Sequence, residues 1–172
     1  MTQSTISIDL PFNGARHLNA RFDATPITSD GGAPLLAALD KKLGLVDSLV
    51  AALTDRRDSQ YTDHSLADLI RQRVFQIALG YEDCDDADIL RHDPVLKASC
   101  GRDPVLDPDL ASQPTLSRLE NSIGPKASYR LARNLFQVYL AGHQKRPKEI
   151  ILDVDLTDDP THGQQDLSFF HG

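Results

Sequence analysis

The sequence predicts a mostly α-helical N-terminal region followed by the first β-hairpin of a sheet, and three observations carry that reading. From residue 28 to 142, apolar residues recur at three- and four-residue spacings between capping signals, the pattern of amphipathic helices. From about residue 148 to 157 the pattern changes to alternation: Ile150, Leu152, Val154 and Leu156 on one side, Ile151, Asp153, Asp155 and Thr157 on the other. A turn around residues 160–163 then precedes a second short apolar run with Leu167, Phe169 and Phe170.

Residues 1–26, with Pro11, Gly14 and Pro26, read as a flexible arm with room for a short strand. A turn at 28–32 opens a helix in which Pro34 suits the first turn and Leu35, Leu36, Leu39 and Leu43 form one apolar face. Gly44 ends it, and a second short helix covers 46–53. After a polar linker at 54–60, Asp63 or Ser65 caps a helix to about 79, with Leu66, Leu69, Ile70, Val74, Ile77 and Ala78 predicted inward. Short helices are expected at 85–91 and 94–98, and a proline-broken loop at 103–108. Ser112 suits an N-cap, with Pro114 in the first turn and Leu116 and Leu119 buried. A turn at 122–126 leads to a longer helix over 126–141, whose apolar side holds Leu131, Leu135, Val138 and Tyr139. The domains expected are therefore the arm, a helical region over 27–147, and the beginning of a sheet domain over 148–172.

The chain has 172 residues, enough for one domain and a real core. No basic segment followed by an apolar run stands at the N-terminus, and no apolar stretch is long enough to span a bilayer. Cys84 and Cys100 are isolated, so a zinc site is not expected and cytosolic thiols are. The net charge of −7 argues at first against a nucleic-acid partner. The distribution argues the other way. Between residues 111 and 148 stand Arg118, Lys126, Arg130, Arg133, Lys145, Arg146 and Lys148 against Glu120 alone. From 149 onward come Glu149, Asp153, Asp155, Asp158, Asp159 and Asp166 with no Lys or Arg. Cations for phosphates beside carboxylates for a metal is what a DNA-cleaving enzyme needs, although a basic helix face is equally compatible with simple solvation.

Two carboxylates on one strand face, Asp153 and Asp155, repel unless a cation sits beside them, and a divalent metal is the usual answer. A calcium loop fails: its sixth position should be Gly and is Asp158, and its twelfth should be acidic and is Gln164. His162 near Asp158 and Asp159 could serve a transition metal, but fits a hydrogen-bonded turn better. A capped helix start bearing Gln113, Thr115, Ser117 and Arg118 offers donors for phosphates or base edges, like the start of a helix-turn-helix recognition helix; an ordinary polar face is the plainer alternative. Arg130 and Arg133, one turn apart, extend such a surface. The acids Glu82, Asp83, Asp85, Asp86 and Asp88 suit a solvated helix start, and Cys84 lacks a neighbouring base for nucleophilic work.

Several segments together resemble the DDE transposases of insertion sequences, group 1. They are Leu152-Asp-Val-Asp-Leu-Thr-Asp-Asp-Pro-Thr-His-Gly-Gln-Gln165 and Phe169-Phe-His-Gly172 and, upstream in the same order, His64-Ser-Leu-Ala-Asp-Leu-Ile-Arg-Gln-Arg73, Ala78-Leu-Gly-Tyr-Glu-Asp83, Leu90-Arg-His-Asp-Pro94 and Ala111-Ser-Gln-Pro-Thr-Leu-Ser-Arg-Leu-Glu120. The resemblance covers roughly residues 25–172. It implies that the hairpin begins a truncated ribonuclease-H-like α/β core and that Asp155, two residues before Thr157, is the first catalytic acid and a Mg²⁺ ligand, with Asp153 as the alternative. It implies double-stranded DNA at transposon terminal inverted repeats as the partner, through Gln113, Thr115, Ser117, Arg118, Arg130 and Arg133. A bacterial, cytoplasmic protein with no membrane association follows, and a homo-oligomer is compatible with the open sheet edge. The family's second Asp and its Glu would lie beyond Gly172. The expectation is therefore an N-terminal part inactive alone, with a non-catalytic DNA-binding product as the alternative.

Overall fold

The computed structural model describes residues 8–11, 17–20, 28–143, 145 and 147–153. The chain divides into two units, Met1–Gly142 and His143–Gly172. In the first, strands β1 (Ile8–Pro11) and β2 (His17–Ala20) pair antiparallel, Ile8 opposite Ala20 and Pro11 opposite His17. Seven α-helices follow among the described residues: α1 (Ala33–Leu43), α2 (Leu45–Ala52), α3 (Leu66–Ala78), α4 (Ala87–Leu90), α5 (Pro94–Ser99), α6 (Gln113–Asn121) and α7 (Pro125–Ala141). A single 3-10 turn, Ser59–Tyr61, lies between α2 and α3.

Local chemistry sets the helix ends. Gly44, at φ 65°, ends α1 and begins α2, a left-handed position that costs glycine little and lets one helix turn directly into the next. Asp40 Oδ1 accepts from the Val46 N–H (2.8 Å) and fixes that corner. Ser65 caps α3 in a full capping box: its hydroxyl accepts from the Asp68 N–H, and the Asp68 carboxylate accepts from the Ser65 N–H. Asp93 caps α5 through the N–H groups of Val95 and Leu96, with Pro94 in the first turn.

Helix α3 is the centre of the unit. Leu69 and Ile70 pack with Val46 and Leu49 of α2 and with Leu116 and Leu119 of α6. Phe75 packs in a second cluster with Ala33, Leu90, Leu96, Cys100 and Leu110, and Val74 touches both. Each fully buried Leu or Phe contributes about 1.5–3 kcal/mol. Helices as short as α4 and α5 have no stability of their own, so this shared core holds them. Helix α7 is attached differently, for none of its residues is fully buried. It lies along α2, where Arg130 Nε donates to the Ala52 carbonyl (2.8 Å) and Asn134 Nδ2 to the Ser48 carbonyl, with Leu131 half-buried beside them.

Three expectations are corrected. The fold class predicted a β-hairpin opening a ribonuclease-H-like core after the helices, but the described part of that segment, 148–153, contains no strand, and the described fold is helical apart from the β1–β2 ribbon. A strand needs a neighbour to accept and donate its backbone hydrogen bonds. None is found there among the described residues, and Ile151 and Leu152 are exposed. Residues 154–172, including Asp155, lie outside the described residues. On α3, Ile77 and Ala78 face solvent, while Gln72, Arg73, Phe75 and Gln76 are buried in their place. On α1, Leu35, Leu39 and Leu43 are exposed, and the fully buried residues are Ala33 and Pro34 at its start.

Candidate nucleic-acid interface

The linker between α2 and α3, the face of α6 and the start of α7 surround an open cleft of about 1110 Å³. Its lining includes Arg56, Arg57, Arg91, Arg118, Lys126 and Arg130 against Asp55, Asp58 and Asp63. Some of these charges are already matched. Arg57 holds Asp55 through Nε (2.8 Å) and Nη2 (2.7 Å) and donates from Nη1 to the His64 carbonyl (3.1 Å). This side-chain pairing with Arg57 keeps the Asp55 carboxyl below its ordinary range. Arg91 is within 3.8 Å of Asp109. That leaves Arg56, Arg118, Lys126 and Arg130 with no carboxylate at salt-bridge distance among the described residues. Asp58 is engaged as the cap of the 3-10 turn. The cleft is therefore a locally cationic place in an acidic chain.

Of the residues expected to contact DNA, Thr115, Arg118 and Arg130 line this cleft and Gln113, Ser117 and Arg133 do not. Arg118 Nη2 donates to Thr115 Oγ1 (3.2 Å), which lays the guanidinium back along α6. The Ser117 hydroxyl and carbonyl accept from Asn121 one turn later. Arg133 is exposed on α7. Ser112 stands at the N-cap of α6 as expected, but its side chain makes no capping bond. Asp88 Oδ1 accepts from the Gln113 N–H instead (2.9 Å), so a carboxylate already occupies that positive helix end. The start of α7 has no side-chain cap, and Lys126 beside it faces the cleft.

Two buried polar residues on α3 hold α6 in place. Gln72 is bonded to the backbone of Ala111, just before the helix. Arg73 donates from Nε to Glu120 Oε1 (2.5 Å), near the helix end, and from its other nitrogens to the carbonyls of Tyr81 and Glu82. Burial first, and then Glu120, push the Cys84 thiol up to about 11, so it is protonated at neutral pH and no nucleophile. Arg56, Tyr61, Gln72, Arg73 and Lys126 were not among the expected site residues. Only Lys126 carried a signal, as part of the basic block.

Among the described residues no group of three His, Cys, Asp or Glu side chains is placed to hold a metal ion. Asp153 is exposed and stands in no strand, so the described side chains do not by themselves make a divalent-metal site. No helix among the described residues is long and apolar enough to cross a membrane.

Residues 10–172 match the family of the transposase DDE domain, group 1. The chain belongs to that family, which is one of transposases that work with a divalent metal. No curated protein and no solved structure matches it.

Proposed function

We propose that the cleft seats the double-stranded ends of a transposable element, its terminal inverted repeats, for cutting and rejoining by the transposase. The observation that carries this reading is the convergence of Arg56, Arg118, Lys126 and Arg130 on one cleft. They come from three separate segments of a chain whose net charge is −7. Phosphate contacts from such cations position a duplex without reading its sequence. Thr115 adds a hydroxyl within reach of the same groove. Family membership over residues 10–172 supports the same partner.

Asp155 is the proposed first acid of the metal set, with Asp153 as the alternative, and Mg²⁺ as the ion. Its support is the place of Asp155-Leu-Thr157 within the matched span.

The test is binding of a random-sequence duplex by the full chain at increasing salt. Each neutralised phosphate contributes a slope of about −0.9 in log affinity against log salt, so four unmatched cations predict a slope of about −3.6. The double variant Arg118→Ala, Lys126→Ala is expected to flatten it by about 2. A slope unchanged by that variant removes the cleft from consideration as the DNA seat.

A further inference from the structure

We propose that the cleft takes an unpaired nucleotide of a DNA strand, with Tyr61 as the surface on which its base stacks; this rests on the reading of the cleft as a DNA seat. Tyr61 lines the cleft and is 86% exposed, an aromatic ring left in water beside the cations of the groove. It is not there on a loose loop. The 3-10 turn that carries it is tied to Asp58 three times. The Tyr61 N–H donates to the Asp58 carbonyl (3.1 Å), the Gln60 N–H donates to Asp58 Oδ1 (3.0 Å), and the Thr62 hydroxyl donates to the Asp58 carbonyl (2.7 Å). A backbone fixed before binding costs less to order when a ligand arrives.

The rest of the lining suits the two halves of a nucleotide. Leu53, Leu66, Leu119 and Ile123 give the cleft apolar wall, which phosphate contact does not call for and a base face does. Arg56, directly upstream of the turn, and Lys126, on the start of α7, line the same cleft and supply cations for backbone phosphates. An aromatic platform among cations that track a strand is the arrangement by which single-stranded nucleic acid is held, tolerant of sequence because every base has a π-face. At about 1110 Å³ the cleft is slightly larger than the roughly 300–1000 Å³ range of small-molecule sites. It has room for a few nucleotides and not for enclosing a duplex. A duplex lying along the groove would therefore place a frayed or overhanging end over Tyr61.

The experiment compares the full chain on a blunt duplex and on the same duplex with a short single-stranded thymine tail, by fluorescence anisotropy. The tailed duplex is expected to bind about tenfold more tightly, within the range that stacking of one base supplies. In Tyr61→Ala the ratio of the two affinities falls to about one, and in Tyr61→Phe it is retained, because the ring and not the hydroxyl does the stacking. Equal affinities in the wild-type chain overturn the proposal, and so does a tail preference that survives Tyr61→Ala. If the blunt duplex binds with the salt slope above and the tail adds nothing, this inference fails alone. If neither probe binds, the reading of the cleft fails with it. Thymidine monophosphate binding more tightly than the tail would mark a site for free nucleotides and overturn the strand assignment.

Discussion

Gln72 and Ala111 exchange two hydrogen bonds: the side-chain Nε2–H donates to the Ala111 carbonyl (2.9 Å), and the Ala111 N–H donates back to Oε1 (2.8 Å). Both residues are 1% exposed. The amide does for the backbone before α6 what a neighbouring strand would otherwise do, and so sets where Thr115 and Arg118 come to lie. Gln72→Leu keeps the volume and strands one buried donor and one buried acceptor on Ala111. Each stranded group costs roughly 1–3 kcal/mol, so a loss of about 2–6 kcal/mol is expected in urea unfolding. A loss under about 1 kcal/mol would mean that water or a shifted backbone satisfies Ala111 without the amide.

The ion pair between Arg73 and Glu120 is unequal, and its two halves are expected to respond differently. The Arg73 side chain is 9% exposed and Glu120 is 45% exposed. Glu120→Gln leaves Arg73 its two carbonyl acceptors and keeps an oxygen at the same place, so a cost of about 0–1 kcal/mol is expected, as for exposed pairs. Arg73→Ala opens a cavity on α3 and removes a donor set from three acceptors, and about 3–5 kcal/mol is expected. Equal losses in the two variants, by denaturant titration, would show that the charge contact outweighs the carbonyl bonds.

Gln76 predicts a change in the opposite direction. It is 1% exposed, and neither its Nε2 nor its Oε1 has a hydrogen-bond partner among the described residues. A buried amide without partners carries its desolvation cost uncompensated. Gln76→Leu is expected to stabilise the fold by about 1 kcal/mol. In a chain of this length that raises the melting temperature by roughly 2–4 °C. A fall in melting temperature would place an ordered water or another polar group against the amide.

These α3 residues mark the limit of what the sequence shows. Leu69, Ile70, Ser65 and Gly44 were legible because periodicity, capping and turn chemistry act within a few residues. Gln72 and Arg73 were not, because a polar residue turns inward only where partners such as Ala111 and Glu120 are waiting, 39 and 47 residues away. The same reason explains the missing strand at 148–153: alternation makes a segment able to be a strand, and pairing decides whether it is one. For the cleft, Arg118 and Arg130 were readable from the basic block, since charge density is local. Arg56 sat in what read as a linker and Tyr61 directly after it, and their relevance comes only from the fold that carries this stretch past α6 and α7.

His64, also on the cleft lining, gives stability a pH dependence with a definite sign. Arg102 Nη2 lies 2.9 Å from His64 Nδ1. A guanidinium can only donate, so Nδ1 must carry a lone pair and the ring is neutral in this contact. Burial first, and then the Arg102 charge, hold the His64 pKa below its ordinary value, while Asp68 and Asp63 work weakly against them. In the unfolded chain the ring titrates near about 6.5. As pH falls through that value the unfolded state takes up the proton first, so the contribution is complete above about pH 6.5 and is lost as pH falls toward the lower folded value. The free energy of urea unfolding is therefore expected to decline between about pH 7 and pH 5 more steeply in the wild-type chain than in His64→Gln, whose oxygen still accepts from Arg102 but does not titrate. The difference between the two curves reports this ring and its interactions. Parallel curves would mean that His64 titrates alike in the folded and unfolded chain, and that the Arg102 contact does not depend on its charge.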